Sequence, residues 1–302
     1  MKLFVSSLVF VSSLMFAGLA LMFAGLALMA GSGAAHADVP DVTVERQVTL
    51  DQTLEWTLQN QQGATYRILI SKPEGEVPDS GGYPVIYVLD GNAYFASLHE
   101  AKRAQEQFRQ AIIVGIAYPG EAPHNFLRRS YDLSPPVAEE QNTPPQGGQD
   151  ELLDFIEQSL MPAVAERFPV DTHHQSLYGH SFGGMFAIYT LFTRPDLFNH
   201  IVAASPSLWW NDSYLLKHER DFRQQVEAGE TSVIHHSLSL IVADNDSLQN
   251  QQDARQFYQR LEDLSAYGLR SSFYRVEGED HMSVPFVLES RVLKQLLGTR
   301  GS

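Results

Sequence analysis

The chain contains no cysteine. That absence removes disulfide staples, thiolate zinc sites and thiol nucleophiles together. Positive charge is scarce as well: 21 Lys and Arg stand against 36 Asp and Glu, a formal net charge of -15. A protein this acidic repels phosphate backbones and anionic membrane surfaces, so nucleic acid is not an expected partner. Histidines with carboxylates at ligand spacing are also lacking. The paired residues His173, His174, His235 and His236 flank predicted strands and read as surface residues rather than a metal site. No resident metal or other cofactor is expected. What is present is apolar material: 44% of 302 residues are hydrophobic, ample for one large core.

The longest apolar run lies at the N-terminus. Lys2 precedes a stretch from Leu3 to about Ala30, in which Leu14–Ala20 repeats at 21–27. Ala35-His36-Ala37 then forms an A-x-A cleavage site before the polar Asp38. Residues 1–37 read as a signal peptide and 38–302 as the mature domain. The expected location is the periplasm, with no stable membrane association after cleavage. The run is long enough to span a bilayer, so an uncleaved signal anchor is the alternative.

Further along, 42–50 and 66–71 alternate apolar and polar residues as half-buried strands do. PVIYVL (84–89) and AIIVGIA (111–117) are continuous apolar runs, the pattern of strands covered on both faces. Between them 96–107 reads as an amphipathic helix. Residues 119–149, rich in Pro, Gly and Gln, read as a long irregular connection. A helix at 150–167 follows. Strands at 175–178, 199–204, 238–243 and 270–276 then alternate with helices at 183–193, 213–227, 250–266 and 285–297. Unbroken alternation predicts a single-domain α/β protein, a doubly wound, mostly parallel sheet, with antiparallel strands at its N-terminal edge.

Gly179-His180-Ser181-Phe182-Gly183 fits G-x-S-x-G. The pattern arises by chance in about one chain in ten of this length, so its context matters more. A strand precedes it and a helix follows, the setting of a nucleophile elbow in an α/β-hydrolase. Gly179 and Gly183 are expected because side chains there would collide with neighbouring elements. Ser181 needs a base to take its proton. In this fold the order is Ser, acid, His. His281, just after the last predicted strand, is the candidate base. The acid should follow strand 238–243, where both Asp244 and Asp246 stand. Asp246 lies farther beyond the strand end and is preferred; Asp244 as acid, or a Ser-His dyad without a tight acid, are the alternatives. For the oxyanion, the backbone N–H groups of Phe182 and Asn92 are the candidate donors.

Several segments together carry a resemblance: YPVIYVLDGNAYF (83–95), AIIVGIAYP (111–119), RRSYDLSPP (128–136), LYGHSFGGMFAIYTLF (177–192), SPSLWWND (205–212) and VEGEDHMSVP (276–285). They resemble the esterase family that groups esterase D, the mycolyltransferases and the enterochelin esterases, and most closely its branch acting on ferric catecholate siderophores. The resemblance spans about 45–297. It implies an α/β-hydrolase with Ser181 and His281 as nucleophile and base. It also implies an acid that is often Glu in a Val-Gly-x-x-Glu setting, where this chain has Val242-Ala243-Asp244-Asn245-Asp246. Arg129, with Arg128 beside it, matches an arginine near the anionic substrate, and Trp209 and Trp210 match aromatics flanking the pocket. Lys102 and Arg103 lie in matching segments too. The implied reaction is hydrolysis of the ester bonds of an enterobactin-like trilactone to release iron. A general carboxylesterase acting on small or sugar acyl esters, and a non-catalytic siderophore-binding protein, are the other readings.

Overall fold

The computed structural model describes residues 48–298. The expected signal segment and its cleavage site lie outside the described residues. Among the described residues, 49–298 group as one compact unit. Its strands and helices run in chain order β1 (Thr53–Gln59), β2 (Thr65–Ser71), β3 (Tyr83–Val88), α1 (Gly91–Arg103), β4 (Ile112–Ala117), α2 (Phe126–Asp132), α3 (Gln149–Phe155), α4 (Met161–Arg167), β5 (Val170–His180), α5 (Phe182–Thr193), β6 (His200–Ala204), α6 (Trp210–Ser213), α7 (Leu215–Glu227), β7 (Ser237–Ala243), α8 (Leu248–Leu261), β8 (Arg270–Val276) and α9 (Glu289–Leu297).

One eight-stranded sheet has the order β1-β2-β4-β3-β5-β6-β7-β8. β1–β2 and β2–β4 pair antiparallel, and the remaining pairs are parallel. This is the expected α/β-hydrolase architecture, with its antiparallel strands at the N-terminal edge. Alternation along β3 explains the two-layered core. Val85 and Tyr87 point into one cluster with Phe155, Phe186 and Phe222 from the helices on that face. Ile86 and Val88 point into the other, with Leu98 of α1 and Leu293 of α9. Strands buried on both faces need apolar residues at every position, and all six residues of β4 are buried.

The edges of elements depart from the sequence reading. The expected strand at 42–50 is not seen where it is described: 48–50 are irregular, and 42–47 lie outside the described residues. The first strand is β1, an edge strand with only Thr53, Trp56 and Leu58 partly buried, so its apolar signal is weak. The connection 119–149 holds a helix, α2, which Asn125 starts by accepting a hydrogen bond from the Arg128 N–H. The single helix expected over 150–167 is interrupted by a wide turn at Ile156–Leu160, where Met161 N–H reaches back to Ile156 C=O. Pro162 explains it: with no N–H it cannot bond the carbonyl four residues back, and the helix loosens just before it.

Candidate active site

Ser181 sits between β5 and α5 at φ 59°, ψ -117°, a conformation disfavoured for any residue with a side chain. Ser181 N–H donates to Ala204 C=O at 2.9 Å and its C=O accepts from Met185 N–H at 3.0 Å, so strand and helix hold the strained turn from both sides. A Cβ on Gly179 would lie 2.1 Å from Gly183 O, so glycine is required there. Gly183 behaves differently from the sequence expectation. A Cβ there would make ordinary contact with Leu89 and Asp90, no nearer than 3.4 Å. The tighter neighbour is Gly184, 3.1 Å from Pro206 Cβ. The elbow needs room where its helix passes β6, not where it passes the β3 loop.

The His281 loop follows β8. His281 Nε2 lies 3.1 Å from Ser181 Oγ, and Nδ1 lies 2.9 Å from Asp246 Oδ2. A carboxylate can only accept, so Nδ1 carries the proton and Nε2 offers its lone pair to the serine hydroxyl. Asp246 Oδ1 accepts from Ser247 N–H at 2.7 Å and Asn250 Nδ2 at 3.0 Å. Burial alone would push the Asp246 carboxyl up; the hydrogen bond and charge of His281 and the Ser247 N–H outweigh it, and its pKa lies below the usual value. Of the two aspartates, the structure brings Asp246 to the imidazole. Asp244 instead accepts from Gly278 N–H at 2.8 Å and fastens the turn that launches the His281 loop. Asn250, in the first turn of α8, escaped the sequence reading.

These groups open onto a cavity of about 710 Å³. Phe126, Phe182, Trp209 and Trp210 give it aromatic walls, and Arg129 lines it too. Trp210 packs on Phe182 at 4.7 Å between ring centroids and donates its Nε1–H to Gln146 at 3.0 Å. Trp209 is 43% exposed, leaving ring surface for a ligand. Ser207, unnoticed in the sequence, stands 3.3 Å from Ser181 Oγ.

The cations expected around an anionic ligand are mostly elsewhere. Arg129 is buried, and both Nε and Nη2 donate to Asp90 at 3.0 Å, a fork-on-carboxylate pair. Arg128 does not line the cavity: its guanidinium lies over Tyr66 and Tyr118 and pairs with Asp132 at 3.3 Å. Lys102 is fully buried at the far end of α1, donating to the carbonyls of Lys72 and Ala111. Arg103 pairs with Glu100 on the surface. Asn92 lies in the first turn of α1 with its side chain bonded to Tyr118 and Gly120, and it is not among the cavity's lining residues, whereas Phe182 is. Among the described residues no group of three or more His, Asp or Glu is placed to hold a metal ion, and no helix is long and apolar enough to cross a membrane.

Comparison with known proteins places the chain in a group. Residues 60–283 match the family described as "Putative esterase". The chain is 34% identical to the ferri-bacillibactin esterase BesA of Bacillus subtilis over 259 residues, 80% of this chain and 87% of that protein. It is 41% identical to a siderophore triacetylfusarinine C esterase of Aspergillus fumigatus over 186 residues, 58% of this chain and 62% of that protein. The crystal structure of the BES protein from Bacillus cereus superposes with a TM-score of 0.79 at 34% identity, covering 85% of this chain and 99% of that one. The chain belongs to this esterase family, and it is an ester-hydrolysing enzyme.

Proposed function

We propose that the chain is a serine hydrolase that opens the ester bonds of a siderophore triester, a ferric catecholate trilactone of the enterobactin type, so that iron is released. The observation that carries the reading is the Asp246–His281–Ser181 chain of hydrogen bonds ending in an aromatic-walled cavity. Ser181 Oγ attacks an ester carbonyl while His281 Nε2 takes its proton, and Asp246 stabilises the imidazolium. The oxyanion accepts from Phe182 N–H, at the first position of α5, and from Asn92 N–H in the first turn of α1. Helix starts leave such N–H groups without a partner inside the helix. The ring oxygen departs with the proton from His281, and the opened substrate remains bound to Ser181 as an ester. Water then attacks under the same base and frees a carboxylic acid.

The aromatic walls suit catechol rings, and Arg129 Nη1, the guanidinium nitrogen not spent on Asp90, suits a catecholate oxygen. The leader 1–37 suits action in the periplasm. A second reading, a general carboxylesterase, has one observation in its favour: Arg129 is already neutralised by Asp90, so the cavity carries little net positive charge.

Incubation with iron-loaded and iron-free enterobactin, bacillibactin and triacetylfusarinine C, followed by mass spectrometry, tests the proposal. Linear products from a catecholate trilactone are expected. No cleavage of any siderophore alongside brisk hydrolysis of p-nitrophenyl esters would transfer the case to the general carboxylesterase.

A further inference from the structure

Behind the nucleophile lies a buried chain of polar groups that the triad itself does not use. His180, 2% exposed, approaches the backbone carbonyl of His281 with Nε2 at 2.7 Å. Its Nδ1 lies 2.9 Å from Tyr94 Oη, and the same hydroxyl lies 3.0 Å from His124 Nε2. The directions of these bonds follow from one fact. A carbonyl oxygen only accepts, so His180 Nε2 must carry a proton. Burial, with His281 and Arg129 nearby, holds the His180 pKa down to about 3, so the ring is neutral and Nδ1 has a free lone pair. Tyr94 O–H therefore donates to Nδ1, and its oxygen accepts from His124 Nε2–H.

The far end of this chain is where aiming matters. The loop after β8 is tied at its front by Asn245 N–H to Glu279 C=O and Gly278 N–H to Asp244. Asp280 closes a tight turn on Met282 and Ser283. His281 lies between these ties, and its carbonyl is joined to the elbow strand through His180. The nucleophile and the backbone of its base are thus locked together by the residue preceding the nucleophile.

We propose that His180 is a positioning residue for His281, fixed in its Nε2–H form by the Tyr94 hydroxyl. Asp246 sets the rotation of the catalytic ring; His180 sets where the backbone carrying that ring stands. The proposal rests on His281 serving as the base, and the test separates the two.

The test measures p-nitrophenyl butyrate hydrolysis by His180→Leu, His180→Gln and Tyr94→Phe, with thermal melts and nitrogen-15 NMR of the wild-type imidazoles. His180→Leu should lower kcat about 30-fold or more with KM within about threefold, since aim and not ground-state binding is lost. Glutamine retains a donor near the Nε2 position and should recover kcat to within about fivefold of wild type. Tyr94→Phe, which removes one oxygen, should cost about 3- to 10-fold in kcat. The NMR should show His180 neutral with its proton on Nε2 from pH 5 to 8. The proposal is overturned if a folded Leu variant keeps its kcat, if Gln does no better than Leu, or if His180 carries its proton on Nδ1. Should the Leu variant fail to fold, the Tyr94→Phe kinetics and the wild-type tautomer decide in the same directions. If His281→Ala retains wild-type activity, the triad reading fails instead.

Discussion

The strand ends of the sheet and the wall built by α2 use charged side chains in opposite ways. At the ends of β5, β7 and β8, Ser181, Asp246 and His281 are joined to one another across the sheet. On α2, Arg128 and Arg129 are each joined to a carboxylate outside the triad, Asp132 and Asp90. The first arrangement leaves the Ser181 hydroxyl and the His281 imidazole facing the cavity. The second ties two guanidinium groups to internal partners and gives the cavity little net charge. The first set is assembled from the ends of three parallel strands, β5, β7 and β8, whereas the α2 guanidinium groups are held by one carboxylate on the same helix and one at the start of α1.

Replacing Ser181, the proposed nucleophile, is the strongest way to test that contrast. Ser181→Ala should lower kcat/KM for any ester about 10⁴-fold or more with the melting temperature nearly unchanged. Loss within tenfold would place the chemistry elsewhere. The next effect belongs to the acid. Asp246→Asn should cost about 10⁴ in kcat by leaving His281 in the wrong tautomer. Asp244→Asn should cost less than tenfold, because it only loosens the turn at Gly278. The reverse ranking would hand the role to Asp244.

Arg129 tests the wall. Removing one partner of a buried ion pair leaves the other bare, which costs about 3–5 kcal/mol of stability. Arg129→Ala should therefore lower the melting temperature. It should also raise KM for an iron-loaded trilactone roughly 10- to 150-fold through a lost charge-assisted hydrogen bond. KM for a p-nitrophenyl acylate should barely move. Equal kinetic losses on both substrates would mean that Arg129 serves only the fold.

The smallest effect concerns Lys102, whose ammonium burial pushes down to about 8. Its folded pKa lies below the unfolded value, so between about pH 8 and 10.5 the unfolded chain binds more protons, and stability rises with pH across that window. Relative to Lys102→Met, the wild type should gain about 2 kcal/mol of unfolding free energy between pH 8 and 10, read by urea titration. A flat difference would mean that Lys102 is solvated rather than buried.

The same contrast governs what could be read from the sequence. The strand-turn-helix around Ser181 and the extra reach of Asp246 beyond β7 are local signals; joined to the Ser, acid, His order of the fold class, they led to the hydrogen-bonded set found in the structure. The fate of Arg129 was not local, unlike that of Arg128, whose partner Asp132 stands one helical turn along α2. Asp90 lies 39 positions away, and the LDGN segment read as a turn gave no sign that its carboxylate faces α2. Lys102 read as a cation for substrate because its segment matched the family, yet the packing of α1 against β4 buries it. β1 escaped because an edge strand need not be apolar, and α2 because Pro and Gly on either side masked a seven-residue helix whose one clear signal was the Asn125 cap.

The account turns on Ser181 forming a covalent ester with its substrate, and rapid-quench intact-mass spectrometry tests this directly. Opening a lactone ring loses no fragment at the acylation step, so the trapped protein should gain the full mass of the trilactone, and digestion should place it on the peptide carrying Ser181. The His281→Ala protein should show no such adduct. Linear products formed at the wild-type rate with no adduct on Ser181, or an adduct on another residue, would contradict the account.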